Sequence, residues 1–324
     1  MTHMLPEQGE TTTAEAAMDP VPPEKAKDIQ ARTPMRLAWE RFRKDRVAMG
    51  ALVVIVLLIL MAILAKPIVD LLGLPDPNIQ DFENRVSPDG LPGGPGSGAP
   101  FGSDNLGRDI LARVIFGSRV SIFVGIVATG LSLVIGVTIG LFAGYFGGWI
   151  DTVLSRLMDV ILSFPQILFA IALVTIFEPG QRIVIFVIAF FGWVYMARIV
   201  RGQVLSLREK EFIEAARSLG ASDVRIIFVD VLPNLVAPII IYATLIIPQN
   251  ILTEASLSFL GLGVEPPRAT WGNMLNESIS YYSAAWWFFT FPGLALLTTV
   301  LAFNLLGDGL RDALDPRAER TMAK

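Results

Sequence analysis

The chain has 324 residues, of which 53% are hydrophobic and 17% charged, with a formal net charge of −4. Its mean hydropathy is +0.56. A soluble domain has about 45–50% apolar and about 25% charged residues, so this composition argues against a soluble globular protein. The chain contains no cysteine and one histidine, His3, which excludes metal sites built from thiolates and imidazoles.

The N-terminal part of the chain is polar. Residues 1–31 are rich in Thr, Glu, Ala and Pro, which predicts a disordered tail. Because this tail is long and polar, we expect no cleavable signal peptide and an uncleaved first membrane span. Residues 33–46 place Leu37, Trp39 and Phe42 among basic residues, which predicts an amphipathic helix on the membrane surface. A charged flank of the first span is the alternative.

Six apolar segments are each long enough to cross a bilayer, which needs roughly 17–25 such residues. They are, in chain order, residues 47–65, 121–146, 160–177, 183–200, 235–252 and 286–306. The first segment has no polar stripe, whereas a helix of a soluble core keeps one. We therefore predict an all-α integral membrane protein with six transmembrane helices.

Basic residues predict the orientation of these spans. Lys and Arg cluster before the first segment, between the fourth and fifth, and in the C-terminal tail. Such clusters mark cytoplasmic flanks, so we expect both termini and the fourth-to-fifth connection to be cytoplasmic. Arg108, Arg113 and Arg119 in the first outer connection count against this, but a connection of that length can cross regardless of its charge.

The first outer connection, residues 66–120, is predicted to be extracytoplasmic. Its stretch LPGGPGSGAP at 91–100 predicts irregular backbone, which cannot lie in lipid. We expect a mobile external loop, with a docking role as the alternative. From residue 102, turn residues lead into a helix that we expect to lie along the outer membrane surface. After the fifth span, we expect the aromatic residues Trp271, Tyr281, Tyr282, Trp286 and Trp287 to form a belt at the outer interface.

The second segment has small residues spaced four apart. Gly136, Gly140 and Gly144 continue a series that starts at Ala128 and Ser132, and all five lie on one helix face. Small residues let another helix approach closely, so this face predicts a helix–helix contact. Glycine is also common in membrane helices that make no such contact.

Ionisable residues of the apolar segments are expected near the segment ends. They are Asp151, Arg156, Asp159, Glu178, Arg198 and Glu254. Ion-driven carriers need ionisable groups or broken helices near the midplane of the bilayer, so this placement argues against a stand-alone secondary carrier.

Residues 208–234, here called the hook, connect the fourth and fifth segments and are charged throughout. Burying each charge in lipid costs about 2.5–3.5 kcal/mol, so the hook must lie in water. Its composition is that of helices and not of a flexible linker. A surface helix pair without a partner and a docking element for a cytoplasmic partner are both compatible with that composition.

The hook is predicted to contain two helices. Residues 205–219 predict the first, and its apolar side would consist of Leu205, Phe212, Ala215, Ala216 and Leu219. Gly220 supplies a left-handed C-terminal cap. Ser222 caps a second helix over 223–229, which Pro233 ends. The two alanines leave room for a partner surface to approach the backbone.

The stretch EAARSLG resembles the EAA loop of ABC-importer permeases. That family has Glu-Ala-Ala, three residues, Gly, nine residues, Ile, one residue and Leu-Pro. The pattern falls on Glu214, Ala215, Ala216, Gly220, Leu232 and Pro233, with Asp230 at the Ile position. This departure weakens the general match, but the position is commonly polar in the peptide-importer branch.

Four further stretches extend the resemblance to about residues 35–317. They are GSDNLGRDILARVIFGSRVSI, AGYFGGWIDTVLSRLMDVILSFP, EASLSFLGLGVEPPRATWGNML and LLGDGLRDALDPR, which begin at residues 102, 143, 254 and 305. They resemble permeases of the DppC/OppC type from dipeptide and oligopeptide ABC importers. The tail 1–31 is additional to that family.

The resemblance implies a type I ABC importer permease in a prokaryotic plasma membrane. Its partners would be membrane lipid, a second homologous permease, two ATP-binding subunits and an extracytoplasmic binding protein, and not nucleic acid. The EAA loop would dock on the ATPase through Glu211, Glu214, Ala215, Ala216, Arg217, Gly220, Leu232 and Pro233. The chain has no G-x-x-x-x-G-K-[ST] motif, so ATP and Mg would bind to the partner subunits and this subunit would be non-catalytic.

The predicted organisation has five parts. They are a cytoplasmic tail (1–31), an amphipathic segment with the first span (32–65), an extracytoplasmic loop (66–120), a five-helix core (121–307) that includes the coupling loop (202–234), and a cytoplasmic tail (308–324). The cargo would be di- or oligopeptides, with nickel, haem, glutathione or oligosaccharides as alternatives. No substrate-binding residue is predicted.

Overall fold

The computed structural model describes residues 34–96 and 98–314, and within these ranges the fold is helical with single β-bridges but no strand. The helices are α1 (Pro34–Phe42), α2 (Arg46–Ile63), α3 (Ala65–Leu71), α4 (Phe82–Arg85), α5 (Ile110–Phe146), α6 (Gly148–Ser163), α7 (Gln166–Ile176), α8 (Gln181–Leu207), α9 (Glu211–Ser218), α10 (Asp223–Arg225), α11 (Leu232–Phe259), α12 (Trp271–Ser278) and α13 (Trp286–Leu314). The predicted tail 1–31 and residues 315–324 of the predicted C-terminal tail lie outside the described residues.

Five described helices are long and apolar enough to cross a bilayer. They are α2, α5, α8, the continuous helix that joins α10 to α11, and α13. The pair α6–α7 also has the required length and composition, and it makes a sixth span if the two helices are counted together. The all-α, multi-pass architecture predicted from the sequence is therefore confirmed.

The third predicted span is not one straight helix. The chain bends by 77° between α6 and α7. Pro165 has no N–H to donate to a helix, and Phe164 before it has extended backbone angles, φ −86° and ψ 127°. The prediction of a single helix over 160–177 is therefore wrong, and α6 begins well before it, at Gly148.

The second span begins earlier than predicted, at Ile110. The N–H of Ala112 donates to Asp109 Oδ1 at 2.9 Å, which caps the helix at this point. The guanidinium of Arg113 in the first turn is fully buried, and its Nε lies 3.4 Å from Asp104 Oδ2. The expected separate helix along the outer surface is therefore wrong, because residues 110–120 are the start of α5 and the charge of Arg113 is paired inside the protein.

The connection before α5 is folded onto the rest of the chain. Arg108 is buried and donates to Asp104 Oδ2 and to Glu277 Oε2, both at 2.6 Å. Arg85 Nη1 lies 3.0 Å from Asp109 Oδ2. These pairs join the connection to the start of α5 and to α12, so the expected external excursion is a structured loop.

One residue that was predicted to belong to the aromatic belt, Trp271, does not lie at the surface. Trp271 is fully buried in α12, and its Nε1–H donates to Val114 O at 3.0 Å. Tyr282 and Trp286, by contrast, are exposed. Trp271 therefore packs α12 against α5 and does not anchor the surface.

Both ends of the described chain lie at the same end of the bundle. α5 starts beside Phe288 of α13 and ends where Tyr145 packs with Ile213 of the hook. α13 runs away from its contact with α5, and near its end Ala313 packs with Phe42 of α1. We call this the hook end, and the opposite side, with the first outer connection and α12, the loop end.

Candidate functional site

The hook folds around one short helix. α9 spans Glu211–Ser218, and a turn at 208–210 separates it from α8, which ends at Leu207. The predicted helix over 205–219 is therefore two helices. The turn separates α9 from the membrane-spanning helix α8.

Gly220 ends α9 in the predicted left-handed conformation, with φ +79°. Its N–H donates to Arg217 O at 2.9 Å, and the N–H of Ala221 donates to Ala216 O at 3.0 Å. This pair of bonds is the Schellman arrangement, which satisfies the last helical carbonyls. No atom lies within 4 Å of the position that a Cβ at Gly220 would occupy, so only the backbone angle restricts this residue.

The second half of the hook is the beginning of the fifth span. The Oγ of Ser222 accepts from the N–H of Arg225 at 3.4 Å, which is a long capping bond. The helix does not stop at Pro233 as predicted, because a wide π-helical turn, Ile226–Val231, leads into α11. A proline ring crowds the carbonyl four residues earlier, and a widened turn relieves that contact.

One residue of α9 is buried and attaches the inner side of this helix to the bundle. Ile213 is fully buried in a cluster that includes Leu141, Tyr145, Val204 and Val231. The predicted apolar side is divided: Ala216 packs against this cluster, whereas Leu219 is 87% exposed and Phe212 45% exposed. The hook is thus attached to the bundle on one face and presents apolar groups on the other.

Polar contacts add to this attachment. The Tyr145 hydroxyl donates to Asp223 Oδ1 at 2.7 Å, and the guanidinium carbon of Arg217 lies 5.3 Å from the centre of the Tyr145 ring. Arg208 Nη1 donates to Gly144 O at 3.2 Å. The end of α5 therefore contacts both halves of the hook.

The structure brings six of the eight predicted coupling residues onto α9 and its cap, and places the other two at the start of α11. Glu211, Glu214, Ala215, Arg217, Gly220 and Pro233 are exposed, whereas Ala216 and Leu232 are half-buried. The outer face of α9 is therefore apolar and charged, and no other described element covers it.

The glycines predicted to pack a helix lie against α8. A Cβ at Gly136 would be 2.6 Å from Trp193 O, one at Gly140 would be 2.7 Å from Ala197 O, and one at Gly144 would be 2.9 Å from Arg201 O. We call this contact the glycine seam (Gly136, Gly140 and Gly144 against α8). Backbones at this separation leave no room for a side chain.

A cavity of about 460 Å³ lies toward the loop end. Phe116, Arg119 and Phe123 of α5 line it together with Gln181 and Arg268. Within residues 34–96 and 98–314, no group of three or more His, Cys, Asp or Glu is arranged to hold a metal ion.

Two features of the hook are not among those predicted from the sequence. The first is the burial of Ile213, whose spacing of three from Ala216 places both residues on one helical face, as the structure does. The bond between Tyr145 and Asp223 joins residues that are 78 apart in the chain, and no local pattern predicts such a pair.

The bundle has the fold of a type I ABC importer permease. It superposes on a chain of the inward-facing MetNI methionine ABC transporter with a TM-score of 0.54. The match covers 64% of this chain and 98% of that one at 18% sequence identity, so it concerns the fold alone.

Family models place the chain more narrowly. Residues 136–320 match the binding-protein-dependent transport system inner membrane component, and residues 33–88 match the N-terminal TM domain of oligopeptide transport permease C. The chain belongs to the family of binding-protein-dependent transport system inner membrane components, as a multi-pass permease subunit of an ABC importer of the peptide type.

The chain is similar over almost its whole length to relatives that are named for two different cargos. A glutathione transport system permease protein GsiD from Pectobacterium atrosepticum is 44% identical over 291 residues, covering 90% of this chain and 94% of the relative. A dipeptide transport system permease protein DppC from Alkalihalophilus pseudofirmus is 42% identical over 309 residues, covering 95% and 98%.

Proposed function

We propose that this subunit moves short peptides, either di- and oligopeptides or glutathione, from an extracytoplasmic binding protein into the cytoplasm. The similar relatives named for dipeptide and glutathione transport support this cargo class. Both cargos are small, hydrophilic and carry charged ends. The binding protein would make the choice between them.

The hook would dock on an ATP-hydrolysing subunit. The observation behind this proposal is the division of α9 into an inner side held by Ile213 and an outer side that exposes Phe212 and Leu219 beside acidic residues. An exposed apolar patch with a polar rim is typical of a protein interface. ATP and Mg would bind to that partner, and this chain would be non-catalytic.

Movement of the ATPase would reach the membrane through rigid contacts. The second half of the hook continues into α11 as one helix, and the hook contacts the end of α5 through Tyr145. A displacement of α9 would therefore tilt both spans together, which is how packed helices transmit a rigid-body change. A second, homologous permease would form the other wall of the path.

The hook end would face the cytoplasm and the loop end the binding protein. The basic residues that flank the spans support this orientation, because they concentrate in the segments at the hook end. The described chain begins and ends there, so both termini would be cytoplasmic.

Replacement of Gly220 tests the coupling role. Gly220→Val forces a β-branched residue to a positive φ, at a cost of about 1–3 kcal/mol. Since no atom crowds the position, this cost falls on the shape of the cap. In the reconstituted transporter we expect Gly220→Val to insert normally but to lose uptake and the ATPase stimulation caused by loaded binding protein.

Gly220→Asn is the matched control, because asparagine tolerates the left-handed conformation far better. It should retain most uptake and most stimulation. Normal uptake and normal stimulation in Gly220→Val would show that the hook does not couple ATP hydrolysis to transport.

A further inference from the structure

The cavity toward the loop end is built mainly from residues outside the predicted apolar segments. One wall is a single face of α5, because its lining residues follow the helical spacing of three and four: Phe116, Arg119, Val120 and Phe123. The other walls are the connections before α5 and α12 and the first residue of α8, which is Gln181. Of the lining residues, Phe123 alone belongs to a predicted apolar segment, so the cavity lies at the edge of the lipid core.

This cavity has two positive charges without a counter-charge. Arg119 and Arg268 line it from two different elements, and neither guanidinium has a hydrogen bond or an ion pair within the described part of the chain. Arg113, six residues earlier in α5, shows the opposite arrangement, because it is fully buried and ion-paired with Asp104 and Glu277. The chain thus pairs the arginine inside the loop end and leaves the two at the cavity open.

The groups around the cavity match the parts of a short peptide. A guanidinium binds a carboxylate through two parallel N–H donors. The side-chain amides of Asn78 and Gln181 can both donate to and accept from peptide groups, and Phe116 and Phe123 offer apolar contact. The volume of about 460 Å³ is within the usual range for small-molecule sites, about 300–1,000 Å³.

We propose that this cavity is an entry site for the cargo, in which Arg119 and Arg268 bind the carboxylate end of the peptide. The inference rests on the proposed function for the class of cargo and for its arrival at the loop end. A phospholipid phosphate has the same charge and is the competing occupant. The two side-chain amides and the position of the walls outside the apolar segments favour the peptide.

The absence of cysteine from the chain allows a direct test of occupancy. Asn78→Cys places one thiol at the cavity, and Asp89→Cys places one at an exposed residue of the same connection that does not line it. The complete transporter without binding protein is labelled with N-ethylmaleimide in phosphatidylcholine nanodiscs, with and without ATP, and mass spectrometry of this chain measures the rate.

Trialanine or S-methylglutathione, whose sulfur cannot react, should slow labelling at position 78 in at least one nucleotide state, and not at 89. Trialanine amide lacks the carboxylate and should need an about tenfold higher concentration, because one charge-assisted interaction is lost.

Loss of either arginine should weaken this protection in the same way. Combined with Asn78→Cys, Arg119→Gln and Arg268→Gln should each raise the peptide concentration for half-protection about tenfold. Arg182→Gln is the matched control, because Arg182 is an exposed arginine beside Gln181 that does not line the cavity. It removes the same charge from the same end of the molecule and should leave protection as it is.

Three results would each overturn the site. They are no protection by either peptide in both nucleotide states, equal protection by trialanine and its amide, and unchanged protection in both arginine variants. Nanodiscs that contain phosphatidylglycerol test the competing occupant. Slow labelling at position 78 without peptide, reversed by Arg119→Gln, would identify a phospholipid headgroup there and would overturn the peptide contact.

Uptake of trialanine and of glutathione into proteoliposomes separates the site from the proposed function. We expect Arg119→Gln to reduce uptake of the transported compound several-fold at an unchanged melting temperature, because exposed side chains without partners add little to stability. Arg119→Lys keeps the charge and should restore part of the uptake. Normal uptake in both Arg119→Gln and Arg268→Gln would overturn the site alone. Wild-type uptake of neither compound would overturn the cargo class, whatever the labelling shows.

Discussion

The glycine seam and the hook are two contacts of α8 and its continuation that are built in opposite ways. At the glycine seam, backbone meets backbone, and a Cβ on Gly140 would lie 2.7 Å from Ala197 O and 2.8 Å from Val200 Cβ. At the hook, one isoleucine, Ile213, is buried on the inner side of α9, and the outer side is open. In the glycine seam, the contacting faces of both helices are covered. In the hook, only the inner face of α9 is covered, and its outer face is exposed.

This difference assigns different mechanical properties to the two regions. Close-packed helices without side chains between them have one stable arrangement, so α5 and α8 should move as one body. A short helix held on one side can dock a partner without rebuilding the bundle. Changes in the glycine seam should therefore damage the fold, whereas changes in the hook should damage its docking.

The largest effect is expected at the glycine seam. Gly140→Val places two methyl groups where the Ala197 carbonyl and the Val200 side chain now lie. The helices must separate, which we expect to cost at least about 3 kcal/mol. Thermal unfolding of the detergent-solubilised chain and its yield of monodisperse protein measure this loss.

Gly130→Val in the same helix is the control, because nothing lies within 4 Å of the Cβ position at Gly130. It should melt close to the wild type. Equal melting temperatures for the two variants would show that α5 and α8 do not require the close approach.

A smaller effect is expected from removing the anchor of the hook. Ile213→Ala leaves a cavity under α9 and should cost about 2–3 kcal/mol, mostly as local loosening of the hook. Hydrogen exchange of the α9 amides should rise, and binding of the isolated ATPase subunit should weaken.

Phe212→Ala separates the two faces of α9. Phe212 is 45% exposed, so its truncation should leave hydrogen exchange near that of the wild type and still weaken ATPase binding. If Phe212→Ala raised exchange as much as Ile213→Ala does, the division of α9 into an inner and an outer face would be wrong.

The smallest effect is expected at the bond between the hook and α5. Tyr145→Phe removes the hydroxyl that donates to Asp223 Oδ1, at a cost of about 1 kcal/mol. A double-mutant cycle with Asp223→Asn, followed by thermal unfolding, isolates that bond. Additive effects of the two changes would mean that the hydroxyl and the carboxylate do not interact.

Local patterns predicted several features of the hook and the spans. Gly220 is left-handed as its position after a run of helix formers indicates, and Ser222 caps the next helix. The apolar runs located the spans, but not their ends. α5 starts at Ile110 because Asp104 and Glu277 neutralise Arg113. Glu277 is distant in the chain, so hydropathy alone places the start of this span too late.

The side of a helix that becomes buried was harder to predict. Phe212, Leu219 and Ile213 are all apolar, and only the position of the α5 and α8 ends places Ile213 inside. The same holds for the third span, because its apolar run does not reveal the 77° bend between α6 and α7. Both outcomes depend on neighbouring helices.

The sequence by itself determined that this protein spans a membrane many times, that a charged segment must leave the lipid, and that a glycine ends its short helix. These properties follow from transfer free energies and backbone angles, which each residue has wherever it lies. Only the tertiary structure decided which face of α9 is covered, how α6 and α7 diverge, and that Asp159 meets Arg198. Those depend on distances between residues far apart in the chain, and packing sets such distances only when all the helices are in place.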